Sequence, residues 1–290
     1  MIRSFFNISD LSRENLFEIL QINEKNLSLK GKSIGLLFEK YSTRTRLSFS
    51  VGIAQLGGNT VDIRYEELNI SRDESFEDTF RAMNCYLDGL VFRTKDHLRL
   101  ISASKYFKKP IINALSNTSH PCQTLGDILT LKEHFGKLKL DILWIGDMNN
   151  VCYSLTEASN LIEEINLTIC TPSEISNNIK WHINNNIKII NDLNSLKFDD
   201  FNCVMTDVFI SMNDKDDSNK IDILKDYIVS DQLMNKTNND CVFMHCLPAK
   251  VGFEVSEGVI RGKKSIVWNQ AYNRMISQKK LLTYIFENLN

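Results

Sequence analysis

The sequence predicts an α/β protein of two doubly wound parallel-sheet domains joined by helices, the C-terminal helix returning to the first domain. Three observations predict it. Short apolar runs recur along the chain, and between them the apolar residues repeat every three or four positions, the alternation of buried strand and amphipathic helix. The break Gly136-Lys137-Leu138-Lys139 divides this alternation into two sets. A last helical pattern, about 274–288, follows the final strand-like run and can fold back on the first set. At 290 residues two domains are expected rather than one. Residues 1–136 with 271–290 are assigned to the first domain and 137–270 to the second.

Taken in order, residues 9–26 read as a helix capped by Ser9 or Asp10, with Leu11, Leu16, Ile19, Leu20 and Ile22 turned to a core. The run 33–38, bounded by Gly31-Lys32, reads as a buried strand. Leu47, Val51, Ala54 and Phe49, Ile53, Leu56 then recur at helical spacing until Gly57-Gly58 stops them. Strands are expected at 59–64, 89–93 and 111–115, and a helix over 118–135. The second set has strands at 142–146, 167–170, 187–190, 203–206, 242–245 and 266–268. The Asn- and Asp-rich stretches 176–186 and 213–220 read as loops or solvated helix ends. No internal repeat stands out.

Several function classes are excluded. A net charge of −2 gives no basic field for nucleic acid. No run approaches the roughly 18 apolar residues of a membrane span, so a soluble cytoplasmic protein is expected. The seven cysteines lack Cys-x-x-Cys spacing and are mostly embedded in apolar context, as small buried hydrophobes in a reducing compartment would be. Zinc is disfavoured, because strand alternation over 241–246 puts Cys241 and His245 on one face and Cys246 on the other. Gly146-Asp147-Met148-Asn149-Asn150 lacks the later glycines of a dinucleotide site, and Gly31-Lys32-Ser33 precedes its strand instead of following it. Neither NAD(P) nor ATP is supported, and no cofactor or metal is expected.

The chemistry concentrates at strand ends. In Phe38-Glu39-Lys40-Tyr41-Ser42-Thr43-Arg44-Thr45-Arg46, three hydroxyls and two guanidiniums crowd between a strand and a helix start. Helix capping alone explains Ser42 or Thr43. Two cations there oppose the helix macrodipole, and a bound anion resolves the conflict. Arg44 or Arg46 can grip two of its oxygens in a fork. Arg93 ends the strand 89–93 at the same rim, and His120 and Gln123 open the helix after 111–115, with Pro121 at its first position. Arginine leaving a core for solvent, and a histidine acting only as a cap, are the plainer readings of these positions. In the second set Asn149-Asn150, Thr206-Asp207, Ser211-Met212 and Cys246-Leu247-Pro248 all follow strands, and Arg274 opens the last helix. Asp207 would be the only carboxylate among these strand ends, a candidate for gripping an ammonium, although alone it is more often a helix cap.

The runs FEKYSTRTRLSF, FRTKDH, HPCQTLGDILTL, WIGDMNNV, TDVFISM and FMHCLPA, with Asn273-Arg274 near the end, resemble in order those of the carbamoyltransferase superfamily. HPCQ and HCLPA are similar to the ornithine rather than the aspartate branch. The resemblance implies a homotrimer of two-domain subunits with active sites at subunit boundaries, and carbamoyl phosphate and L-ornithine as substrates. By motif, Ser42, Thr43, Arg44 and Thr45 hold the phosphate, and Arg93, His120 and Gln123 surround the carbamoyl group and bridging oxygen. Cys246, Leu247 and Arg274 complete that site from the other domain, and Asn150, Asp207, Ser211 and Met212 match the ornithine positions.

The chemistry so implied is direct attack of a neutral amine through a tetrahedral intermediate, with Arg93, Thr45 and His120 polarising the carbonyl. Arg44 and the helix start stabilise the departing phosphate. Asp207 either orients the attacking amine or, as favoured here, holds the α-ammonium. Cys246 is expected to make a polar contact with substrate, since direct attack leaves a covalent nucleophile without a task. The chain departs from the family at Asn69, aligned with a glutamine that reaches carbamoyl phosphate, at Ser71 and Asp73, aligned with glycines, and at Asn213, which replaces a glycine before a closing loop. Two alternatives remain, a carbamoyltransferase for another amine such as putrescine or a modified ornithine, and a non-catalytic paralogue. Retention of Arg44, Arg93, His120 and Arg274 argues against the second.

Overall fold

The apolar runs at 33–38, 89–93 and 111–115 form most of a parallel sheet in the computed structural model, which describes residues 3–23, 25, 27–211 and 218–288, without the side chains of 71, 72 and 218. Its strands are β1 (Ser33–Phe38), β2 (Asn59–Arg64), β3 (Gly89–Arg93) and β4 (Ile111–Leu115), in the order β2-β1-β3-β4. The connections are α1 (Arg13–Gln21) before β1, then α2 (Thr43–Gln55), α3 (Phe76–Tyr86), α4 (His97–Ser104) and, after β4, α5 (Pro121–Phe135). From β1 the chain steps outward to β2 and then back across to β3, so the strand order reverses between β1 and β3. Ligands of such sheets bind beyond the strand C-termini at that reversal. Here Phe38 is the register partner of Arg93. Leu37, Leu90 and Phe92 pack with Phe80, Leu100 and Phe107 beneath it.

The second sheet has β5 (Leu140–Ile145), β6 (Ile165–Cys170), β7 (Ile187–Ile190), β8 (Cys203–Thr206) and β9 (Val242–His245), ordered β7-β6-β5-β8-β9 and parallel throughout. Its reversal lies between β5 and β8. The helices are α6 (Asn150–Leu161), the single turn α7 (Ser173–Ser176), α8 (Ser218–Leu224), α9 (Asp231–Met234), α10 (Glu257–Ile260) and the long α11 (Val267–Glu287). Leu143, Ile145, Val204, Phe243 and Val255 share one core. The chain divides into two compact units, Met1–Leu129 with Asn273–Asn290, and Thr130–Tyr272. It leaves the first within α5 and returns within α11.

Several expectations need correction. The helix expected over 9–26 is a 3-10 turn (Ile8–Asp10) followed by α1, and Ser12, not Ser9 or Asp10, caps α1 by accepting from Asn15 N–H. The helix expected from 118 starts at Pro121. No strand forms over 266–268. Ile266 N–H donates to Phe243 O, but from Val267 the chain is already helical, because so short an apolar run suits a buried helix start as well as a strand. Residues 218–220 open α8, whereas 212–217, including Met212 and Asn213, lie outside the described residues.

Candidate active site

In the first unit, Ser42 is the N-cap of α2 in extended backbone, yet its hydroxyl makes no capping bond. Arg93 Nη1 donates to Ser42 Oγ at 3.2 Å and to Thr45 Oγ1 at 3.4 Å instead. The β1–β3 register produces this by setting the end of β3 beside the entry to α2. The rim is tied down by Glu39, whose N–H donates to Arg93 O. Its carboxylate accepts from Thr94 Oγ1 (2.7 Å) and pairs with Arg99 Nε (2.7 Å). Thr45 and Arg93 are buried, while Thr43 and Arg44 are exposed. Of the two arginines that could grip a phosphate, Arg46 is committed to Asp62 on β2 and lies 4.5 Å over the Phe38 ring. Burial, then the neighbouring charge of Arg64, lowers its pKa. Arg44 makes no hydrogen bond or ion pair among the described residues, and the unpaired N–H groups of the first turn of α2 lie beside it.

The turn before α5 is clamped. Ser116 N–H donates to Ser119 O at 2.9 Å, Ser119 N–H to Ser116 Oγ at 3.2 Å, and His97 Nδ1 lies 2.8 Å from Ser116 Oγ. This fixes His120, which is buried, and Pro121 begins the helix as its ring geometry favours. One turn on, Gln123 Nε2 donates to Asp127 Oδ1 at 2.8 Å and Gln123 Oε1 accepts from Arg274 Nη1 at 3.0 Å. A carboxylate can only accept and a guanidinium only donate, so the two partners settle the amide orientation. Arg274 lies well inside α11 rather than opening it, and belongs to the first unit with Gln123 rather than to the other domain, so burial in this network explains it and the helix dipole does not. Gly126 makes the approach possible: a Cβ there would stand 2.8 Å from Arg274 Cα.

Burial, then the charges of Arg274 and Arg93, holds the His120 imidazole well below its ordinary pKa, so it is neutral at physiological pH. An unfolded chain takes up this proton near pH 6.5, whereas the folded one does so only at lower pH. The contribution to stability is therefore fully present above pH 6.5 and is lost as pH falls through that value towards the depressed one. His120→Asn should flatten the fall in thermal midpoint between pH 7 and pH 5, and an unchanged slope would remove His120 as its source.

In the second unit, Asn149 caps α6, its Oδ1 accepting from Val151 N–H (2.9 Å) and Cys152 N–H (3.1 Å). Its Nδ2 donates to Asp207 Oδ2 at 2.8 Å, and the Cys246 thiol donates to Asp207 Oδ1 at 3.0 Å. Asp207 is buried just past β8, and Asn150 and Ser211 are half-buried. Asp207, His245 and Cys246 bring one potential metal-ligand atom each within 4.8 Å. Strand alternation was expected to separate His245 from Cys246, but β9 ends at His245 and Leu247 turns to φ +57°, so the alternation stops there. Both His245 ring nitrogens are engaged, Nδ1 by Leu247 N–H at 2.9 Å and Nε2 with Glu254 Oε1 at 3.3 Å. The donor set is spent on hydrogen bonds, which does not fit a metal centre.

Asn69 is exposed at the start of a 3-10 turn (Asn69–Arg72) and makes no hydrogen bond to Ser42, Arg93 or His120. Asp73 takes φ +79°, the left-handed region that glycine favours and Asp tolerates. Sequence reasoning missed Asn149, Asp127 and Gly126 as supports. The signals were present: Asn before a helix is a cap, and Asp127 follows Gln123 by four residues.

Residues 3–133 match the aspartate/ornithine carbamoyltransferase carbamoyl-P binding domain, and residues 138–285 match the Asp/Orn binding domain of the same family. The ornithine carbamoyltransferase of Rhizobium johnstonii is 39% identical over 261 residues, covering 88% of this chain and 86% of its own. That of Methanocaldococcus jannaschii is 38% identical, covering 96% and 97%. The crystal structure of the anabolic ornithine carbamoyltransferase of Campylobacter jejuni superposes with a TM-score of 0.87 at 28% identity, covering 99% of this chain and 100% of that one. Matches to both domains, in order and over nearly the whole length, mean that the chain belongs to the aspartate/ornithine carbamoyltransferase family.

Proposed function

We propose that the protein transfers the carbamoyl group of carbamoyl phosphate to the side-chain amine of L-ornithine, giving L-citrulline and phosphate, as a step of arginine biosynthesis. The observation that carries this reading is Arg93 spanning Ser42 and Thr45 with neutral His120 and Arg274 close by, a buried cationic set suited to a small doubly charged acyl donor. Ser42, Thr43, Arg44 and Thr45, with the N–H groups of α2, hold the phosphate. Arg93, His120 and Thr45 polarise the carbonyl, and Gln123 and Arg274 orient the carbamoyl group. Cys246 and Leu247 complete that site, and Asn69 contributes an amide on a stem shorter than the family's glutamine. Asn150, Asp207, Ser211 and Met212 bind ornithine, Asp207 taking the α-ammonium.

In the reaction the ornithine nitrogen attacks the carbamoyl carbon, a tetrahedral oxyanion forms, the bond from that carbon to the bridging oxygen breaks, and phosphate leaves with that oxygen and the electron pair. The proton lost by nitrogen ends on phosphate. Fixed donors on the developing charge supply most of the acceleration, and holding both substrates together supplies the next part. The Cys246 thiol donates to Asp207, a contact that supports a polar role for it, and direct amine attack leaves a covalent nucleophile without a task. A cytoplasmic homotrimer completes the proposal. Leu47 and Val51, one turn apart on α2, are 57% and 43% exposed, apolar surface that a second copy would cover. No helix among the described residues is long and apolar enough to cross a membrane.

The test offers carbamoyl phosphate with ornithine, putrescine, N-acetylornithine or aspartate, and follows phosphate and citrulline. Citrulline from ornithine alone is the expected result. Release with putrescine but not ornithine, or with no amine at all, would overturn the assignment.

A further inference from the structure

We propose that the buried pair His245–Glu254 is a positioning device for the Cys246–Leu247 corner, an inference that rests on that corner belonging to the substrate site. The corner needs holding. Leu247 adopts φ +57°, a conformation that side chains other than glycine rarely keep unaided. It lies two residues beyond the end of β9, and its side chain packs against the core shared by Phe243 and Val255.

Two backbone donors pin it. Leu247 N–H donates to His245 Nδ1 at 2.9 Å, and Lys250 N–H donates to Glu254 Oε1. An amide N–H can only donate, so Nδ1 must present its lone pair, and a neutral ring then carries its proton on Nε2. That nitrogen faces the same Glu254 Oε1 at 3.3 Å. The pair thus grips both ends of the 247–250 corner, and Glu254 dictates the tautomer that Leu247 requires.

The surroundings are rigid. Both side chains are fully shielded from solvent. His245 N–H donates to Gln270 Oε1 at 2.9 Å, and Glu254 O accepts from Val229 N–H at 2.9 Å. Neither residue takes part in the Asn149–Asp207–Cys246 contacts. Yet the His245, Asp207 and Cys246 ligand atoms lie within 4.8 Å of one another, so a tilt of the ring displaces the thiol.

The experiment combines spectroscopy and kinetics. With 15N-histidine incorporated, only five side chains report, and the His245→Asn spectrum assigns the signal of interest. The wild-type protein should show that ring neutral with its proton on Nε2, and Glu254→Gln should preserve this, because an amide oxygen still accepts both bonds. Glu254→Ala should lose the fixed tautomer, lower kcat at least tenfold and weaken carbamoyl phosphate binding, because Cys246 and Leu247 complete that site. His245→Leu should lower kcat similarly. His245→Asn should recover most of it, since its Oδ1 can accept from Leu247 N–H as in an Asx-turn. A proton found on Nδ1, or full kcat in folded Glu254→Ala or His245→Leu, would overturn the proposal. If the wild-type protein turns over no amine, the assigned reaction fails, while the tautomer measurement still decides whether the pair holds the corner as described.

Discussion

Arg93→Ala should lower citrulline formation by about 10³-fold or more, since loss of one donor to a developing oxyanion already costs about 10²–10³ and this guanidinium also orders Ser42 and Thr45. The loss should appear in kcat and in carbamoyl phosphate affinity together. Arg93→Lys keeps the charge but not the fork, and should recover only part of it. Stability should behave differently. Arg93 shares a buried neighbourhood with Arg274 and is one of two cations that depress the His120 pKa. Its removal relieves that repulsion, so the thermal midpoint should hold or rise, and the His120 pKa should move back towards its ordinary value. Steady-state kinetics with a melting curve decides the matter, and a loss below tenfold in a folded variant would remove Arg93 from the reacting centre.

Asp207→Ala should lower kcat/KM for ornithine by about 10²-fold, on the scale of one or two charge-assisted hydrogen bonds at roughly 1.5–3 kcal/mol each, while leaving carbamoyl phosphate binding intact. The separation is physical: Asp207 sits with Asn149 and Cys246 in one compact unit, whereas Arg93, His120, Gln123 and Arg274 belong to the other. Asp207→Asn should rescue poorly. Asn149 and Cys246 both donate to the carboxylate, and an amide offers one of them an N–H instead of a lone pair. Calorimetry with carbamoyl phosphate and initial rates against ornithine would read the two halves independently. An unchanged KM for ornithine would show that the α-ammonium is held elsewhere.

Much of this was legible in the chain. The strands β1, β3, β4, β8 and β9 run where the apolar runs do, because buried parallel strands must be continuously apolar and Gly or polar residues end them, whereas β2 and β7 are partly exposed and carry polar residues. Position at a strand end also singled out the candidates Arg93, Asp207 and Cys246, since register carries a side chain at the end of one strand to the neighbouring connection. Helix ends were less legible. The chain from Ile8 to Gln21 has helical spacing throughout, but Asn7 and Ser12 each cap a separate piece. Arg274 looks like a helix opener because nothing local in the sequence shows that α11 begins at Val267. The contacts that hold the functional groups were hardest to see. Gln123 meets Arg274 across 151 positions and His245 pairs with Glu254 behind a turn, and pairings of that kind have no period for a sequence to display.

The crowding of Arg93 and Arg274 about a neutral imidazole carries a thermodynamic consequence. Like charges held together under low dielectric load the fold like a compressed spring, and a doubly negative guest releases it. In the proposed reading, part of the affinity for the acyl donor is relief from self-repulsion already built into the scaffold, and the guest would act as the keystone of the unit that receives it.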